Sequence, residues 1–401
     1  HKCLRHLRKR CTEFVLNIYE DPLPKDSGLE STLWDFFHGS LGYAATRSGV
    51  AVPLDSQKLE VGLPEGVAAK IDICPGLSSD TRDLLLNWKD FFDFEGASRA
   101  DDTESLGPAP DIRNLADVMV GKKMASWRKV TPENKNIPAC GLFGVMKKES
   151  ASNDPSYRDL VRLILNLTPT NQLFDQTRLH DIMSKRKLPS LDDYRYLLVS
   201  PGADEVIVWK RDVKSCFHQY SLPEAARDMM KVNVPLPHAC STYPEVQGEE
   251  EYELYSNSLT MGWTGSVVTA QDYMEGLCQQ AQLPRQQNPQ MRHDPKDAQV
   301  TQALSRLPSW SCIIDDVFGL GTRDQEDTLR GWFDGIGDVW TANGVESKKS
   351  KDVVMLTNQE VLGKVVRPSA RLSLPDHKIF AILVGALHCL SFSYVHWQRR
   401  A

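Results

Sequence analysis

Cysteine pairs, net positive charge and long apolar segments are what this sequence lacks. Its nine cysteines are scattered through 401 residues, and no two of them are spaced as C-x-x-C. This spacing argues against a zinc ribbon and against a disulfide framework. We therefore expect reduced thiols in an intracellular protein of the cytoplasm or nucleus.

Membrane-spanning and targeting patterns are missing as well. No stretch has the pattern of a signal peptide, and the apolar run Ile379–Leu387 is too short to cross a bilayer. We expect no contact with a membrane. Because the chain opens at His1 without an initiator methionine, we also expect a fragment of a longer protein.

The charge balance neither favours nor excludes a nucleic-acid partner. The chain has 47 basic and 53 acidic residues, a formal net charge of −6, whereas phosphate binding needs lysine and arginine. A groove can still concentrate positive charge that the whole-chain sum does not report. The length allows two or three compact units, and the composition is ordinary for a soluble globular protein.

Two polar segments divide the chain. Residues 1–97 contain short apolar runs but no motif, so their role is unknown. Residues 98–112 are rich in proline, glycine and acid, which predicts a linker. From residue 113 onward strand-like runs alternate with helical patterns, which is typical of an α+β fold. Residues 279–299 are rich in glutamine, proline and charge, which predicts a solvated insertion.

Acidic residues in apolar surroundings are the first candidates for chemistry. The run Val206–Trp209 predicts a strand, and Asp212 follows at its end. The pair Asp315 and Asp316 lies between apolar runs, in what we expect to be a buried β-hairpin. Burying carboxylates there costs several kcal/mol unless a cation or hydrogen bonds compensate. A metal site explains the pair; a structural ion pair, or for Asp212 a turn or capping role, stays open.

The ordered series of motifs around these acids resembles the reverse transcriptases of retroviruses and retrotransposons, over about residues 120–366. The series consists of Phe143–Lys148, Arg162–Asn171, Asp212 with Phe217, Leu259–Ser266 with Gln271, Ile313–Asp316, Asn343–Val345 with Lys349 and Lys351, and Val361–Gly363. The resemblance implies a right-hand polymerase with an N-terminal extension. The fingers would be residues 113–199, the palm 200–366 with the insertion 279–299, and the start of the thumb 367–401.

The resemblance also implies the activity, which is RNA-directed DNA synthesis by a retroelement enzyme. Deoxynucleotides would be added to the 3′ end of a primer on an RNA or DNA template by two-metal phosphoryl transfer. The catalytic residues would be Asp212, Asp315 and Asp316, and two Mg²⁺, or Mn²⁺ as a substitute, would be held by these acids and the carbonyl of Val213. Two hard cations can stabilise both the attacking and the leaving oxygen. No protein partner is implied.

The incoming deoxynucleotide would meet a further set of residues, which the resemblance gives as Lys147, Arg162, Ser215, Cys216, Phe217, Gly262 and Gln271. The two basic residues would contact the triphosphate, and the ring of Phe217 would exclude a 2′-hydroxyl. Gly262 would permit close backbone approach, because it has no Cβ. Each residue also has a plainer interpretation, as a solvated loop charge or as core packing.

Two other functions remain open at this point. The chain could be a catalytically inactive nucleic-acid-binding remnant of a decayed element, although the acids and basic residues are intact. It could also be another two-metal enzyme, such as a ribonuclease H-like nuclease. The nuclease hypothesis leaves the glycine motif and the basic segment upstream unexplained.

Overall fold

The computed structural model describes residues 51–55, 63–146, 161–184, 205–235, 252–284, 308–361, 364–367 and 371–373. All of them belong to one compact unit, residues 51–401. Several sequence predictions lie outside the described residues: Lys147, residues 1–50, Leu362 and Gly363, most of the insertion and most of the thumb. Among the described helices, none is both long enough and apolar enough to cross a membrane.

The described unit mixes short strands with helices. The strands are β1 (Ala51–Val52), β2 (Ile71–Asp72), β3 (Ala125–Lys129), β4 (Leu142–Met146), β5 (Val161–Leu165), β6 (Val206–Asp212), β7 (Tyr220–Ser221), β8 (Lys231–Val232), β9 (Tyr252–Ser256), β10 (Ser309–Ile313), β11 (Asp316–Thr322), β12 (Val353–Leu356), β13 (Gln359–Val361), β14 (Lys364–Arg367) and β15 (Arg371–Ser373). The α-helices are α1 (Ser79–Leu86), α2 (Phe94–Ala97), α3 (Ala109–Gly121), α4 (Thr168–Leu173), α5 (Gln176–Ser184), α6 (Cys216–Gln219), α7 (Glu224–Arg227), α8 (Thr264–Gln280) and α9 (Glu326–Ala342).

A four-stranded antiparallel sheet carries the predicted acids. Its strand order is β10-β11-β6-β12. The first four residues of β6, Val206–Trp209, are all buried, as expected for a β-branched and aromatic run inside a sheet. Helix α9 packs on β6, β11 and β12, and α8 packs on β10 and α9. The predicted strand before Asp212 is confirmed.

Helix α9 packs on this sheet through one apolar face. Its buried residues Leu329, Phe333, Ile336 and Trp340 recur at spacings of three and four, so they form one apolar stripe. Glu326 and Asp327 lie in its first turn, where negative charge is favourable next to the unpaired amides. The ring of Phe333 packs edge-on against the buried ring of Trp209, with 6.1 Å between the ring centroids.

Smaller sheets flank the four-stranded sheet. One has the order β1-β4-β5 and another has the order β3-β9-β8. Strand β2, which lies before residue 97, pairs in parallel with β7, which follows Asp212 in the sequence. Strands β13, β14 and β15 form an antiparallel meander.

The predicted linker at residues 98–112 makes hydrogen bonds to neighbouring segments, although nearly all of its residues are exposed or half-buried. The backbone N–H of Ala139 donates to the carboxylate of Asp102 at 2.6 Å, and the N–H of Leu106 donates to the carbonyl of Leu142 at 2.7 Å. Helix α3 already begins at Ala109, inside the predicted linker. Polar residues of this segment form hydrogen bonds with backbone groups of neighbouring segments. Composition alone does not distinguish such bonds from hydrogen bonds with water.

The described parts of the unassigned segment 1–97 and of the predicted insertion 279–299 also contribute packed residues. Before residue 97, Ser78 donates both its N–H and its hydroxyl to the carboxylate of Asp272 on α8, at 2.8 and 2.7 Å. In the predicted insertion, α8 continues to Gln280, and Leu283 is buried. The first residues of the predicted insertion, 279–283, therefore belong to the packed helix and its end.

Candidate active site

Strands β6 and β11 bring two of the predicted acids side by side. Asp212 and Asp316 are register partners on these antiparallel strands, so their side chains share one face. Asp315 lies in the two-residue turn between β10 and β11, and its carbonyl accepts a hydrogen bond from the N–H of Val213 at 2.8 Å. The structure thus joins Asp212, Val213, Asp315 and Asp316, which are about a hundred residues apart in sequence.

Two lysines compensate part of this negative charge. Lys351 donates to Oδ2 of Asp212 at 2.7 Å, and Lys210 donates to Oδ2 of Asp316 at 2.9 Å. Asp212 is buried, with 4% of its surface exposed. The other carboxylate oxygen of Asp316, Oδ1, is buried and has no hydrogen-bond partner among the described residues.

The pKa values of the acids follow from this burial. Loss of solvent raises the pKa of Asp316 to about 7, although the ion pair with Lys210 opposes the rise. Burial, and next the charge of Asp212, raises the pKa of Asp315. The two lysines therefore leave the carboxylates short of cationic compensation.

The donor set fits a hard divalent cation. The acids supply only oxygen atoms, which Mg²⁺ prefers, and Asp316 Oδ1 is a buried acceptor that meets no donor among the described residues. Within the described ranges, no three His, Cys, Asp or Glu side chains already form a metal cage. Such a cage is not required, because Mg²⁺ is commonly held by one or two carboxylates together with water and substrate phosphates.

The chain immediately after Asp212 turns sharply beside the acids. Ser215 has a left-handed backbone with φ of 48°, and Cys216 begins the short helix α6. The thiol of Cys216 is buried, and burial followed by the charge of Asp315 raises its pKa well above the ordinary value. Phe217 is half-buried and packs against the core, so its ring is partly accessible on this turn.

Gly262 lies where the chain enters α8, and its close approach is to protein. Its φ is 123°, and an added Cβ would collide with the carbonyl oxygen of Leu165 at the end of β5. The N–H of Leu165 donates to the carbonyl of Met261 at 3.0 Å, which ties β5 to this turn. Arg162 lies on β5 with its side chain exposed. Among the described residues, no hydrogen bond or ion pair joins Arg162 to the acids.

Gln271 has partners other than a nucleotide. It lies within α8, fully buried, and its Oε1 accepts the N–H of Ile314 at 2.8 Å. Its Nε2 donates to the carbonyl of Cys312 at 3.1 Å and to Oε1 of Glu275 at 3.0 Å. The sequence expectation placed this amide at the nucleotide, whereas the structure places it behind the acid-bearing hairpin.

Comparison with known proteins adds little to this geometry. No protein-family model and no curated protein matches the chain. The chain is similar to the solved structure of a foamy viral protease-reverse transcriptase dRH in complex with double-stranded DNA, with 11% identity and a TM-score of 0.41. The match covers 84% of this chain and 49% of that chain, so this chain spans about half the length of the viral protein.

Sequence reasoning missed Lys210, and a signal for it was present. Residues two apart on a strand point to the same face, so Lys210 is on the face of Asp212. Lys351 lies with Lys349 in a turn of the motif series, and the sequence assigned neither of these lysines a role at the acids. It is identified only by the structure, because the turn returns beside β6, where the N–H of Lys348 donates to the carbonyl of Asp212 at 2.7 Å.

Proposed function

We propose that this chain is an RNA-directed DNA polymerase, which adds deoxynucleotides to a primer on an RNA or DNA template. The observation that supports the proposal is the pairing of Asp212 with Asp316 across adjacent strands, with Asp315 in the connecting turn. One buried carboxylate and two partly buried ones, with incomplete compensation, would form a site for cations. Their order in the sequence and their strand positions agree with the motif series described above.

The residues of the site would have different roles in nucleotidyl transfer. Asp212, Asp315 and the carbonyl of Val213 would hold two Mg²⁺, or Mn²⁺ in their place, with Asp316 in support. When bound, these ions would stabilise charge on the attacking 3′-oxygen and on the leaving pyrophosphate. Lys210 and Lys351 offset the negative charge of the carboxylates, which otherwise repel one another and the triphosphate.

The deoxynucleotide is proposed to lie between the acids and strand β5. Arg162, exposed on β5, and Lys147, beyond β4, would bind the triphosphate. Arginine offers a planar fork of donors and lysine offers a point charge. The amides near Ser215 and Cys216 would add donors. Phe217, at the same turn, would lie under the sugar and disfavour a 2′-hydroxyl.

The flanking elements take corresponding roles in the proposal. The sheet β10-β11-β6-β12 with α8 and α9 would be the palm. The sheet β1-β4-β5 would belong to the fingers, and β13–β15 would lead towards the thumb. The site would then lie where template, primer and nucleotide meet.

Primer extension tests the proposal directly. The purified chain is incubated with poly(rA)/oligo(dT), dTTP and Mg²⁺, with EDTA as the control. We expect Mg²⁺-dependent extension that requires a complementary nucleotide. Cleavage of the template in the absence of nucleotides, without extension, would instead identify a nuclease. Binding of the primed template without extension would identify an inactive remnant.

A further inference from the structure

A buried amide connects helix α8 to the hairpin that carries the acids. Gln271 has no exposed surface. Its Oε1 accepts from the N–H of Ile314, in the turn, at 2.8 Å, and its Nε2 donates to the carbonyl of Cys312, at the end of β10, at 3.1 Å. One side chain therefore holds the backbone on both sides of Ile313, directly before Asp315 and Asp316.

The turn that it holds has an unusual backbone. Ile314 has φ of 54°, in the left-handed region, and a β-branched residue there is an outlier because its Cβ crowds the backbone. Its side chain packs, partly buried, against the core. Such a conformation persists only where its surroundings enforce it. If the turn relaxed, Asp315 would leave its place beside Val213.

The chemistry of the contacts selects glutamine. One end of the side chain must accept from Ile314, and the other end must donate to both Cys312 and Glu275, whose Oε1 lies 3.0 Å from Nε2. An amide satisfies all three contacts in a single orientation. A glutamate in place of Gln271 would set its second carboxylate oxygen against the acceptors of Cys312 and Glu275. A methionine would leave the N–H of Ile314 without a strong acceptor.

We infer that Gln271 is a positioning residue, which holds Ile314 in its left-handed turn and so places Asp315 and Asp316 against Asp212. The effect on catalysis rests on the function proposed above. The contact with the hairpin does not, and it can be tested separately. This assignment replaces nucleotide binding, because a fully buried amide with both ends occupied presents no atom to a ligand.

The experiment compares four proteins with the wild-type chain. Gln271→Met removes the amide at nearly constant length, and Ile314→Gly removes the side chain that disfavours a positive φ. The third protein carries both changes. The control is Thr269→Val on the same helix, where the buried hydroxyl has no hydrogen-bond partner among the described residues. Amide hydrogen exchange of peptides spanning the hairpin is measured on each folded protein, together with single-turnover primer extension.

We expect Gln271→Met to speed exchange at the hairpin by about tenfold or more, because the N–H of Ile314 loses its acceptor. Primer extension should show a maximal rate about 10- to 100-fold lower with little change in the apparent dTTP affinity, since misplaced catalytic groups slow the chemical step. The double variant should be faster than Gln271→Met alone, because glycine adopts the turn without help. Thr269→Val should leave both readouts unchanged.

Three results would overturn the inference. The first is unchanged hairpin exchange in Gln271→Met. The second is a rise in the dTTP concentration needed for half-maximal rate at an unchanged maximal rate, which would return Gln271 to nucleotide binding. The third is a loss of activity in Gln271→Met that is not relieved in the double variant, although Ile314→Gly alone is active. If the wild-type chain extends no primer, the polymerase proposal fails, and the exchange measurement still decides the role of Gln271.

Discussion

At the scale of single residues, Asp316 shows how burial and ion pairing compete. Lys210 lies 2.9 Å from its Oδ2, which favours the charged carboxylate. The loss of solvent outweighs this pair and raises the pKa to about 7. The remaining oxygen is buried without a partner among the described residues. Without a bound cation, the folded chain therefore favours the protonated form of Asp316 below neutral pH.

This shift predicts a pH dependence of stability in metal-free buffer. The folded-state pKa lies above the unfolded value of about 3.9, so the folded chain binds more protons between these values. The resulting stabilisation is complete below pH 4 and is lost as pH rises towards 7, with a slope of at most about 1.4 kcal/mol per pH unit. Asp316→Asn is neutral throughout.

The free energy of unfolding of Asp316→Asn should therefore rise relative to the wild type between pH 5 and 7, and the difference should level off above pH 7. Urea denaturation with EDTA at several pH values measures it. The same change at exposed Asp324 is the control, and we expect no such trend there. A difference between Asp316→Asn and wild type that is flat across this range would show that the Asp316 pKa is not raised.

The sequence predicts the three acids but not their neighbours. Asp212, Asp315 and Asp316 stand out because apolar runs surround them, and a buried carboxylate needs compensation. Lys210 and Lys351 reach them only after strand register and a long-range turn are known. The role of Gln271 depends on which side of α8 meets the hairpin, and that helix is buried on nearly all sides, so periodicity could not choose one.

At the scale of elements, the turn before α8 links the site to the sheet β1-β4-β5. Gly262 lies against the carbonyl of Leu165 at the end of β5. The carbonyl of Gly262 accepts from Nδ2 of Asn171 at 2.8 Å, and Oδ1 of the same asparagine accepts from the N–H of Thr264 at 3.0 Å. This network fixes the start of α8 relative to β5, and therefore also the position of Gln271 within that helix.

Gly262→Ala should destabilise the chain by more than about 2 kcal/mol, because φ of 123° is unfavourable for alanine and the new Cβ would collide with backbone. Gly331→Ala is the matched control. Gly331 lies inside α9 with open space around it, so alanine there should stabilise by about 0.5–1 kcal/mol. Urea denaturation of both variants compares them. Equal effects on stability would mean that the Gly262 turn tolerates a side chain.

At the scale of elements, a clear run of residue types is more informative than composition alone. The strand ending near Asp212 was predicted from its β-branched run. In the predicted linker, the carboxylate of Asp102 accepts a hydrogen bond from the N–H of Ala139, which the composition of the segment does not reveal. Composition reports polarity, and it does not tell whether the partner of a polar group is water or the chain.

At the scale of the whole molecule, net charge says little about the partner. The chain is acidic, with a formal charge of −6. Around the acids, however, Lys210 and Lys351 supply local positive charge, and Arg162 is exposed on β5. A site for a cation and a polyphosphate needs both signs close together, and a sum over the chain cannot reveal such an arrangement.

Primer extension by matched variants tests most directly whether the three acids form a polymerase site. Wild type, Asp315→Asn and the surface control Asp324→Asn are compared on poly(rA)/oligo(dT) with dTTP and Mg²⁺, after equal folding is verified by thermal unfolding. We predict that Asp324→Asn matches the wild type. Asp315→Asn should lose roughly 10³-fold or more in rate, or about 4 kcal/mol of transition-state stabilisation. Wild-type rates in folded Asp315→Asn would contradict the assignment of these acids as the catalytic site.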